Sequence, residues 1–371
     1  MNVLKYLLLK AVLCAGILIG GTHSAKAQLD LAGEILRAGT DDANLLFKEY
    51  IRPFAEGFGA DLNTGWISRS RPNNVLQLDI MLRTGVAFVP SSSRTFSIEE
   101  IPFLYLDHIS GPREVQTASG AETEGPELGM FGYNPFTGER QELGRFTMPG
   151  GTGYPYVPAP IIQAGLGVGV DTEFIVRFVP PVRLGTMKVG TNGFGIKHRI
   201  NHWFARGSSL PVDVTLHAGF SQLSSTVHLN VQPEVREDIY DPFTDDPGAW
   251  SGQAVKLEAV GFSGNLILGR SIQNLSLFGS VGIQTSRMSI HTPGGYPVIT
   301  FNHDYDPDVS GAEFRRKRIE RALNPVNLDY KEPNILFGSA GLSYDLQMLT
   351  FSASLSYSNY IVLNFGVGVN L

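Results

Sequence analysis

The chain has little cysteine and few long apolar runs. Only Cys14 is present among 371 residues. A chain without cysteine pairs cannot rely on disulfides, so backbone pairing and packing must hold the fold together. Beyond the N-terminal region, no apolar stretch is long enough to cross a bilayer as a helix. These two absences exclude a disulfide scaffold and a helical membrane protein.

Basic residues and catalytic motifs are also scarce. Lys and Arg number 29 against 35 Asp and Glu, which gives a formal charge of −6. A chain with this charge balance lacks the excess of basic residues that is typical of nucleic-acid-binding proteins. Asp213 and His217 share one face of a predicted strand, yet no motif singles out a serine beside them. The sequence therefore predicts neither an enzyme nor a bound metal or cofactor.

The N-terminus has the features of an export signal. Lys5 and Lys10 lie at the start of an apolar stretch, and Ala25-Lys26-Ala27 provides small residues for cleavage before Gln28. We expect residues 1–27 to be a signal peptide. Its removal takes away three lysines and no acids, so the formal charge of −6 becomes −9.

Apolar and polar residues alternate through most of the remaining chain. At the C-terminus, Ile361, Leu363 and Phe365 alternate with Val362, Asn364 and small residues, and the same period of two recurs at 76–82, 174–178, 212–220 and 349–357. Such a period is typical of strands with one apolar face and one polar face. Because the polar rows are as regular as the apolar rows, we predict an all-β, transmembrane, antiparallel up-and-down barrel over residues 56–371.

The strand count rests on alternating segments and on parity. Single-chain bacterial barrels normally have an even number of strands, with short periplasmic turns and long outer loops. About twelve strands satisfy this rule, and fourteen stay possible if a long loop hides a hairpin. The predicted strands lie near 56–67, 75–89, 95–106, 159–170, 172–180, 193–204, 211–230, 251–269, 274–290, 335–345, 349–358 and 361–371. The long extracellular loops are then 107–158, 231–250 and 291–334.

Residues 28–55 form a predicted helical segment ahead of the barrel. Leu46, Phe47 and Tyr50 make an apolar patch, Asp41 or Asp42 can cap the helix, and Pro53 ends it. The apolar patch needs a cover, either inside the barrel as a hatch or plug, or beneath its periplasmic mouth. The plug is favoured because a barrel of this size has room for a helix.

Four motifs carry a resemblance to known proteins: "FGADLNTGW" (58–66), "AFVP" (87–90), "FGIKHRI" (194–200) and "LPVDVTLHAGF" (210–220). They resemble an uncharacterised family of Gram-negative outer-membrane β-barrel proteins, similar to the hydrophobic-compound transporters of the FadL and TodX type. The resemblance implies a barrel with an N-terminal hatch and a hydrophobic ligand.

Charged residues on the predicted inner face are of mixed sign, which argues against a selective ion pore. They form either a network of mutually paired charges or contacts for a ligand headgroup. The candidate ligand-binding residues in the lumen are Arg177, Lys197, Arg199 and His217.

A second candidate site is the basic cluster in "EFRRKRIER" (313–321). Arg315, Arg316, Lys317 and Arg318 lie in a predicted outer loop, where they could bind lipopolysaccharide phosphates. The alternative is a solvated helical turn in which Glu313 and Glu320 pair with these cations.

Taken together, these features predict a channel or transporter of the cell outer membrane. It would pass small hydrophobic or amphipathic molecules under control of the N-terminal segment. The alternative is a structural or interaction protein with a closed lumen and binding loops. The expected partners are outer-membrane lipid, lipopolysaccharide, the barrel assembly machinery and a hydrophobic small molecule, and no nucleic acid.

Overall fold

The computed structural model describes residues 40–184, 187–204, 210–233, 236–309 and 311–371. The predicted signal peptide and residues 28–39 of the predicted hatch lie outside the described residues. The described chain has two helices, α1 (Thr40–Asn63) and α2 (Asn201–Phe204), and short 3-10 turns at Ser91–Ser93, Ile98–Glu100 and Ala312–Phe314. The rest of its regular structure is strand.

Ten strands form a closed antiparallel barrel. They are β1 (Leu78–Phe88), β7 (Tyr156–Gly169), β8 (Thr172–Leu184), β9 (Met187–Arg199), β10 (Asp213–His228), β12 (Ala254–Ile272), β13 (Leu275–His291), β16 (Asn327–Leu346), β17 (Leu349–Tyr357) and β18 (Ile361–Asn370). β1 closes the barrel by pairing with both β18 and β7, so that Ile80 lies opposite Val369 on one side and Ala164 on the other. Closure gives every strand of the wall a neighbour on both sides, which removes the open edge that a flat sheet would have.

The predicted alternation sets the two faces of the barrel wall. On β18, Phe365 and Val367 point outward and are each 52% exposed, whereas Asn364 points inward and is 5% exposed. The other strands follow the same rule, which surrounds the barrel with an apolar outer band. An antiparallel barrel with such a band has the faces of a membrane-spanning barrel, so the all-β prediction is confirmed.

The two ends of the barrel differ. Two-residue connections at 170–171, 273–274 and 347–348 define the turn end, where β1 also begins and β18 ends. The connections at 89–155, 229–253 and 292–326 define the loop end. By the general asymmetry of such barrels, the turn end faces the periplasm and the loop end faces outside.

Part of the wall extends well beyond a bilayer at the loop end. β12 has 19 residues and β16 has 20, whereas about 9–11 residues suffice to cross a membrane. β16 pairs with β17 from Leu346 up to Gly338 and continues from there against β13 alone as far as Asn327. The wall at β12, β13 and β16 therefore carries the loops clear of the membrane.

Two of the twelve predicted strands are wrong. Residues 56–63 continue α1, because Gly57 and Gly59 serve as points of close helix–wall packing rather than as strand or turn positions. Residues 95–106 lie in the first long loop, where Pro102 and the 3-10 turn Ile98–Glu100 interrupt pairing, and only Thr95–Ser97 and the first residue of a later short strand, Leu106, are in strands. The barrel proper therefore begins at Leu78 rather than at residue 56. The count of ten keeps the expected even parity.

Other boundaries shift by several residues. The first long loop begins at residue 89 rather than 107, and the third ends at 326 rather than 334, because β16 starts at Asn327. The predicted strand 193–204 is instead β9 (Met187–Arg199) followed by α2. The connection 229–253 agrees closely with the predicted loop 231–250.

The long loops fold into small sheets, which we call the loop layer. One sheet has the order β11–β15–β14, one is β3–β5–β6 and one pairs β2 with β4. These strands are β2 (Thr95–Ser97), β3 (Leu106–Ser110), β4 (Glu114–Gln116), β5 (Glu127–Tyr133), β6 (Arg140–Thr147), β11 (Ile239–Tyr240), β14 (Gly295–Phe301) and β15 (Lys317–Leu323). The β14–β5 and β14–β6 contacts join two of the sheets into one structure.

Candidate functional site: the plug and the loop layer

The lumen is occupied by α1 and by residues 64–77, which we call the plug. α1 packs against the inner faces of β1, β7, β10, β12, β13 and β16. It begins at the loop end, where the Asn44 side-chain amide donates to the Pro325 carbonyl at 2.9 Å. Residues 64–77 then lead to the turn end and into β1. The plug thus runs the length of the barrel.

At the loop end, the plug helix is anchored by Asp42. Its fully buried carboxylate accepts backbone N–H bonds from Leu104 at 3.0 Å, Tyr105 at 2.7 Å and Leu106 at 2.9 Å. Charge-assisted bonds of this kind are roughly twice as strong as neutral ones. Asp42 also stands in the first turn of α1, where a negative charge favours the helix dipole. One carboxylate therefore stabilises the helix and fixes a loop over it.

The apolar side of α1 forms part of the core of the loop layer. Leu46, Phe47 and Tyr50 are at most 6% exposed. The Tyr50 hydroxyl donates to the Gly150 carbonyl at 2.9 Å, and burial raises the pKa of this tyrosine to about 12. The same core includes Phe96, Ile98, Leu106, Val115, Leu128, Met130, Met148, Leu257, Met288, Ile290, Tyr296 and Leu328. Helix, wall and loops thus share one hydrophobic core.

Arg177 holds the C-terminal end of α1. Its guanidinium donates to the carbonyls of Leu62 at 3.0 Å and Thr64 at 2.7 Å, and it lies 3.5 Å from the centre of the Trp66 ring. The last carbonyls of a helix lack partners within the helix and carry partial negative charge, so a buried cation suits them. Arg83 acts similarly on the next residues, donating to the Gly65 and Ile67 carbonyls.

Charges tie residues 69–73 to the turn end. Arg69 pairs with Asp345 and Arg71 pairs with Asp213, each at 2.7 Å. The backbone N–H of Asn73 donates to the Glu173 carboxylate at 2.8 Å. These contacts close the turn end with ion pairs, whereas the loop end is closed mainly by apolar packing.

The four predicted lumen residues point inward, but their polar atoms mostly have partners within the protein. Lys197 pairs with Glu173 at 2.8 Å, and Arg199 pairs with Asp171 at 2.7 Å and Asp213 at 3.3 Å. Arg177 contacts the plug, as described above. His217 bonds Asn265 at 3.1 Å through Nδ1, and its ring lies 5.3 Å from that of Trp66. The geometry matches the paired-charge alternative; ligand binding by these residues stays a prediction.

Sequence reasoning missed the plug contacts of Asp42 and Trp66. Trp66 fell in a segment that was predicted to be a strand, and nothing local indicates that Asp42 bonds a loop more than 60 residues away in the chain. The one sequence signal for a plug is the mixed charge of the lumen. Mixed charges suit contacts with a protein segment inside the barrel better than they suit an ion-selective pore.

The lumen has little free space along the described wall. Every one of the ten strands contributes inward-facing side chains that are buried. Between the plug and the wall, a cavity of about 10 Å³ is lined by Asn63, Trp66, Asn265 and serines of β16 and β17, which is room for about one water molecule. Asn63 Oδ1, Trp66 Nε1 and Asn265 Oδ1 have no protein partner there. At this level of the barrel, the inner side chains therefore leave little room between the plug and the wall.

The predicted basic cluster lies in the loop layer, and its members have different surroundings. Arg315 donates to the Ile239 carbonyl at 2.9 Å, and Lys317 donates to the Leu143 carbonyl at 2.8 Å. Arg318 lies 3.7 Å from Asp304. Arg316 is exposed and lines a cavity of about 510 Å³. The cluster is therefore part of the sheet β11–β15–β14 and the turn before it, not a free helical turn, and only Arg316 is wholly available to a ligand.

Two further features hold for the described residues. No group of three or more His, Cys, Asp or Glu side chains is arranged to hold a metal ion. No helix of this part of the chain is long and apolar enough to cross a membrane.

A closed antiparallel barrel with an apolar outer band and polar inner residues has the architecture of outer-membrane barrel proteins. The chain belongs to the family of unknown function DUF6588, whose model matches residues 3–371. Among proteins with curated descriptions, none matches this chain.

The solved structures to which this chain is similar are distant matches. The attachment invasion locus protein Ail of Yersinia pestis is 8% identical, with a TM-score of 0.19, and the match covers 80% of this chain and 97% of Ail. The protease OmpT of Escherichia coli is 11% identical, with a TM-score of 0.27 and coverage of 81% and 95%. The toluene transporter TodX of Pseudomonas putida is 10% identical, with a TM-score of 0.25 and coverage of 85% and 98%. Likenesses this distant say nothing about what this chain binds.

Proposed function

We propose that this protein is an interaction or binding protein of the cell outer membrane, with a closed lumen and a functional loop layer. The observation that carries the proposal is the double role of α1, which fills the lumen and also belongs to the core of the loop layer. On this proposal, the barrel assembly machinery inserts the chain, and outer-membrane lipid and lipopolysaccharide surround it.

The cost of removing the plug supports a closed lumen. Withdrawing α1 would expose Leu46, Phe47 and Tyr50, and each buried side chain of this size contributes roughly 1.5–3 kcal/mol. It would also break the three bonds to Asp42 and leave the carbonyls held by Arg177 without donors. Such a cost is comparable to the whole stability of many domains, so opening on its own would be rare.

The second candidate is a channel or transporter for small hydrophobic or amphipathic molecules, controlled by the plug. The ion pairs at the turn end favour it. The contacts of Arg69, Arg71 and Asn73 are polar, so water or a ligand headgroup could replace them. In this scheme residues 64–77 move while α1 stays anchored.

A disulfide between the plug and the wall separates the two candidates. A Cβ atom built on Gly59 lies 3.2 Å from Ser286 Cβ, a few tenths of an ångström below the usual range of about 3.5–4.5 Å in disulfides, so a small shift of the helix suffices. Because Cys14 lies in the predicted signal peptide, Gly59→Cys with Ser286→Cys gives the only cysteine pair. Conductance in planar bilayers and uptake of a small fluorescent hydrocarbon into liposomes are measured with the bond oxidised and reduced.

We expect neither form to conduct or to take up the hydrocarbon faster than empty liposomes, because the lumen is closed in both. Ser286→Cys alone serves as the matched control for the effect of the thiol. Uptake or conductance in the reduced form that stops on oxidation would establish plug-controlled transport instead. Passage in both forms would point to movement of residues 64–77 below the bond.

A further inference from the structure

The loop layer contains a cavity between two of its sheets. The cavity measures about 510 Å³ and is lined by Gln141, Glu142, Asp238, Phe301, Arg316 and Lys317. Phe301 ends β14 and packs against the other sheet, since a Cβ on Gly132 would lie 3.1 Å from the Phe301 ring. Lys317 spans the junction by donating to Leu143 of β6. The cavity therefore has ordered walls on both sides, and its volume suits a small molecule.

The two acids of the cavity are each held by an arginine outside its lining. Both oxygens of Glu142 accept from Arg145, at 2.6 and 3.0 Å. Both oxygens of Asp238 accept from Arg236, at 3.1 and 3.3 Å. These carboxylates are thus fixed in position and largely neutralised, while each still has lone pairs that can accept bonds from hydroxyl groups.

The two cations of the cavity are less well compensated. Within the described residues, the exposed Arg316 side chain has no ion pair and no hydrogen-bond partner. The Lys317 ammonium lies 3.9 Å from Asp238. Burial lowers the pKa of Lys317; Asp238 partly opposes this shift, and the neighbouring Arg236 and Arg316 add to it. With Arg145 and Arg236, four cations lie beside the two lining acids, and Arg145 also pairs with a third acid, Glu127, at 3.8 Å. The cavity therefore has a net positive charge to offer a ligand.

We propose that this cavity binds a small polyhydroxylated anion, such as a sugar phosphate or a sugar acid. Arg316 and Lys317 contact the anionic group, and Gln141, Glu142 and Asp238 contact the hydroxyl groups. The planar guanidinium of Arg316 suits phosphate and carboxylate oxygens, which it can contact through two parallel bonds. This inference rests on the proposed function and specifies its ligand class.

The position of the cavity favours a soluble ligand over a lipid headgroup. Phe301 and Lys317 pair at the outer end of the β14–β15 hairpin, six residues beyond the Gly295–Leu323 pair near the barrel. At about 3.3 Å per residue, six residues span about 20 Å along the hairpin. The wall beneath this hairpin already extends past the length that a bilayer requires. Lipid phosphates lie at the membrane surface, so the cavity faces the medium.

The test is titration calorimetry on the full mature protein in detergent, with glucose 6-phosphate, glucuronate, glucose and inorganic phosphate as probes. We expect the two anionic sugars to bind, and glucose and phosphate to bind at least tenfold more weakly. Arg316→Gln should weaken the anionic sugars at least tenfold, because it removes a charge-assisted bond. Arg270→Gln, an exposed arginine at the opposite end of the barrel, is the matched control and should bind like the wild type.

Three results would overturn the proposal. Equal binding of phosphate and glucose 6-phosphate would reveal a simple anion site, and the absence of binding by every probe would leave no site. Binding only to vesicles that contain lipopolysaccharide, lost in Arg316→Gln, would assign the cavity to a lipid headgroup. Conductance of the same protein distinguishes failure of the proposed function: a conducting barrel that binds anionic sugars refutes the closed lumen but leaves this site in place.

Discussion

Arg177 shows how much one residue contributes to holding the plug. It is 1% exposed, and its donors are shared between Leu62 and Thr64 of the plug and Gln163 of the wall at 3.1 Å. A buried guanidinium is costly unless its donors are satisfied. Here the acceptors are the carbonyls at the end of α1, which themselves need donors. The guanidinium donors and the carbonyl acceptors therefore satisfy each other's hydrogen-bonding needs.

Replacing Arg177 by Met should destabilise the protein by at least about 3 kcal/mol, because the carbonyls at the end of α1 lose their donors inside the barrel. The measurement is the urea dependence of unfolding in detergent. The stability of Arg177→Lys should lie between that of the wild type and that of Arg177→Met, since an ammonium keeps the charge but lacks the planar arrangement of donors. The control, Arg270→Met, should change stability by less than about 0.5 kcal/mol. Equal stability of the Arg177→Met variant and the wild type would show that Arg177 does not hold the plug.

Asp41 and Asp42 provide a matched pair at the other end of α1. Asp41 is exposed and Asp42 is fully buried against the N–H groups of Leu104, Tyr105 and Leu106. Asp42→Asn removes the charge from three bonds and should cost about 3 kcal/mol locally. We expect a protease to cut the loop 89–155 faster in Asp42→Asn, and Asp41→Asn to behave like the wild type. Identical cutting of the two variants would disprove the anchoring role of Asp42.

At the level of elements, α1 departs from what its own propensities favour. Pro53 lies inside the helix and glycines occupy two of its positions, all of which weaken an isolated helix. The glycines are needed for packing: a Cβ on Gly57 would lie 2.8 Å from Val157 Cγ2, and one on Gly59 would lie 2.5 Å from Ser286 Oγ. Packing inside the barrel thus overrides helix propensity.

This conflict between propensity and packing predicts the sign of the stability change that Gly57→Ala causes. Gly57→Ala should stabilise a solvent-exposed helix by up to about 1 kcal/mol, but here we expect a loss of about 1–3 kcal/mol, because the stiff β-branched Val157 cannot move away easily. The urea midpoint measures the change. In the Val157→Ala background, Gly57→Ala should cost less stability than it does in the wild type, because the smaller side chain leaves room for the new methyl group. A Gly57→Ala variant more stable than the wild type would mean that the helix does not press against β7.

Strands were predicted correctly where they separate lipid from the barrel interior, and incorrectly where a segment lies outside the wall. β10, β17 and β18 were predicted closely because they separate lipid from interior over their whole length, which imposes a strict period of two. The segments 56–67 and 95–106 show partial alternation, but neither lies in the wall. The sequence could not distinguish them, since a glycine-rich helix packed on several sides also mixes small and apolar residues.

For the whole molecule, the proposed closed lumen makes a prediction about dynamics. If plug, wall and loop layer form one core, the amides of α1 should exchange with deuterium as slowly as those of the barrel strands. Mass spectrometry of peptides covering 40–63 and 254–272 compares the two directly. Exchange of α1 at least a hundredfold faster than β12 would show that the plug leaves the lumen, contrary to the proposed function. A peptide that contains the exposed residues 244–248 provides the fast-exchanging reference.

The sequence by itself determined the barrel class, the even strand parity, the inward position of Arg177, Lys197, Arg199 and His217, and the long loops at one end. A period of two and the spacing of turns are local properties, and they can be identified in the sequence without knowing any tertiary contact. Only the tertiary structure decided that ten strands close the barrel, that α1 fills it, and that Asp42 and Arg177 fix the plug at its two ends. Those contacts join residues about 60 to more than 100 positions apart, and which partners meet there depends on how the closed wall packs around the helix.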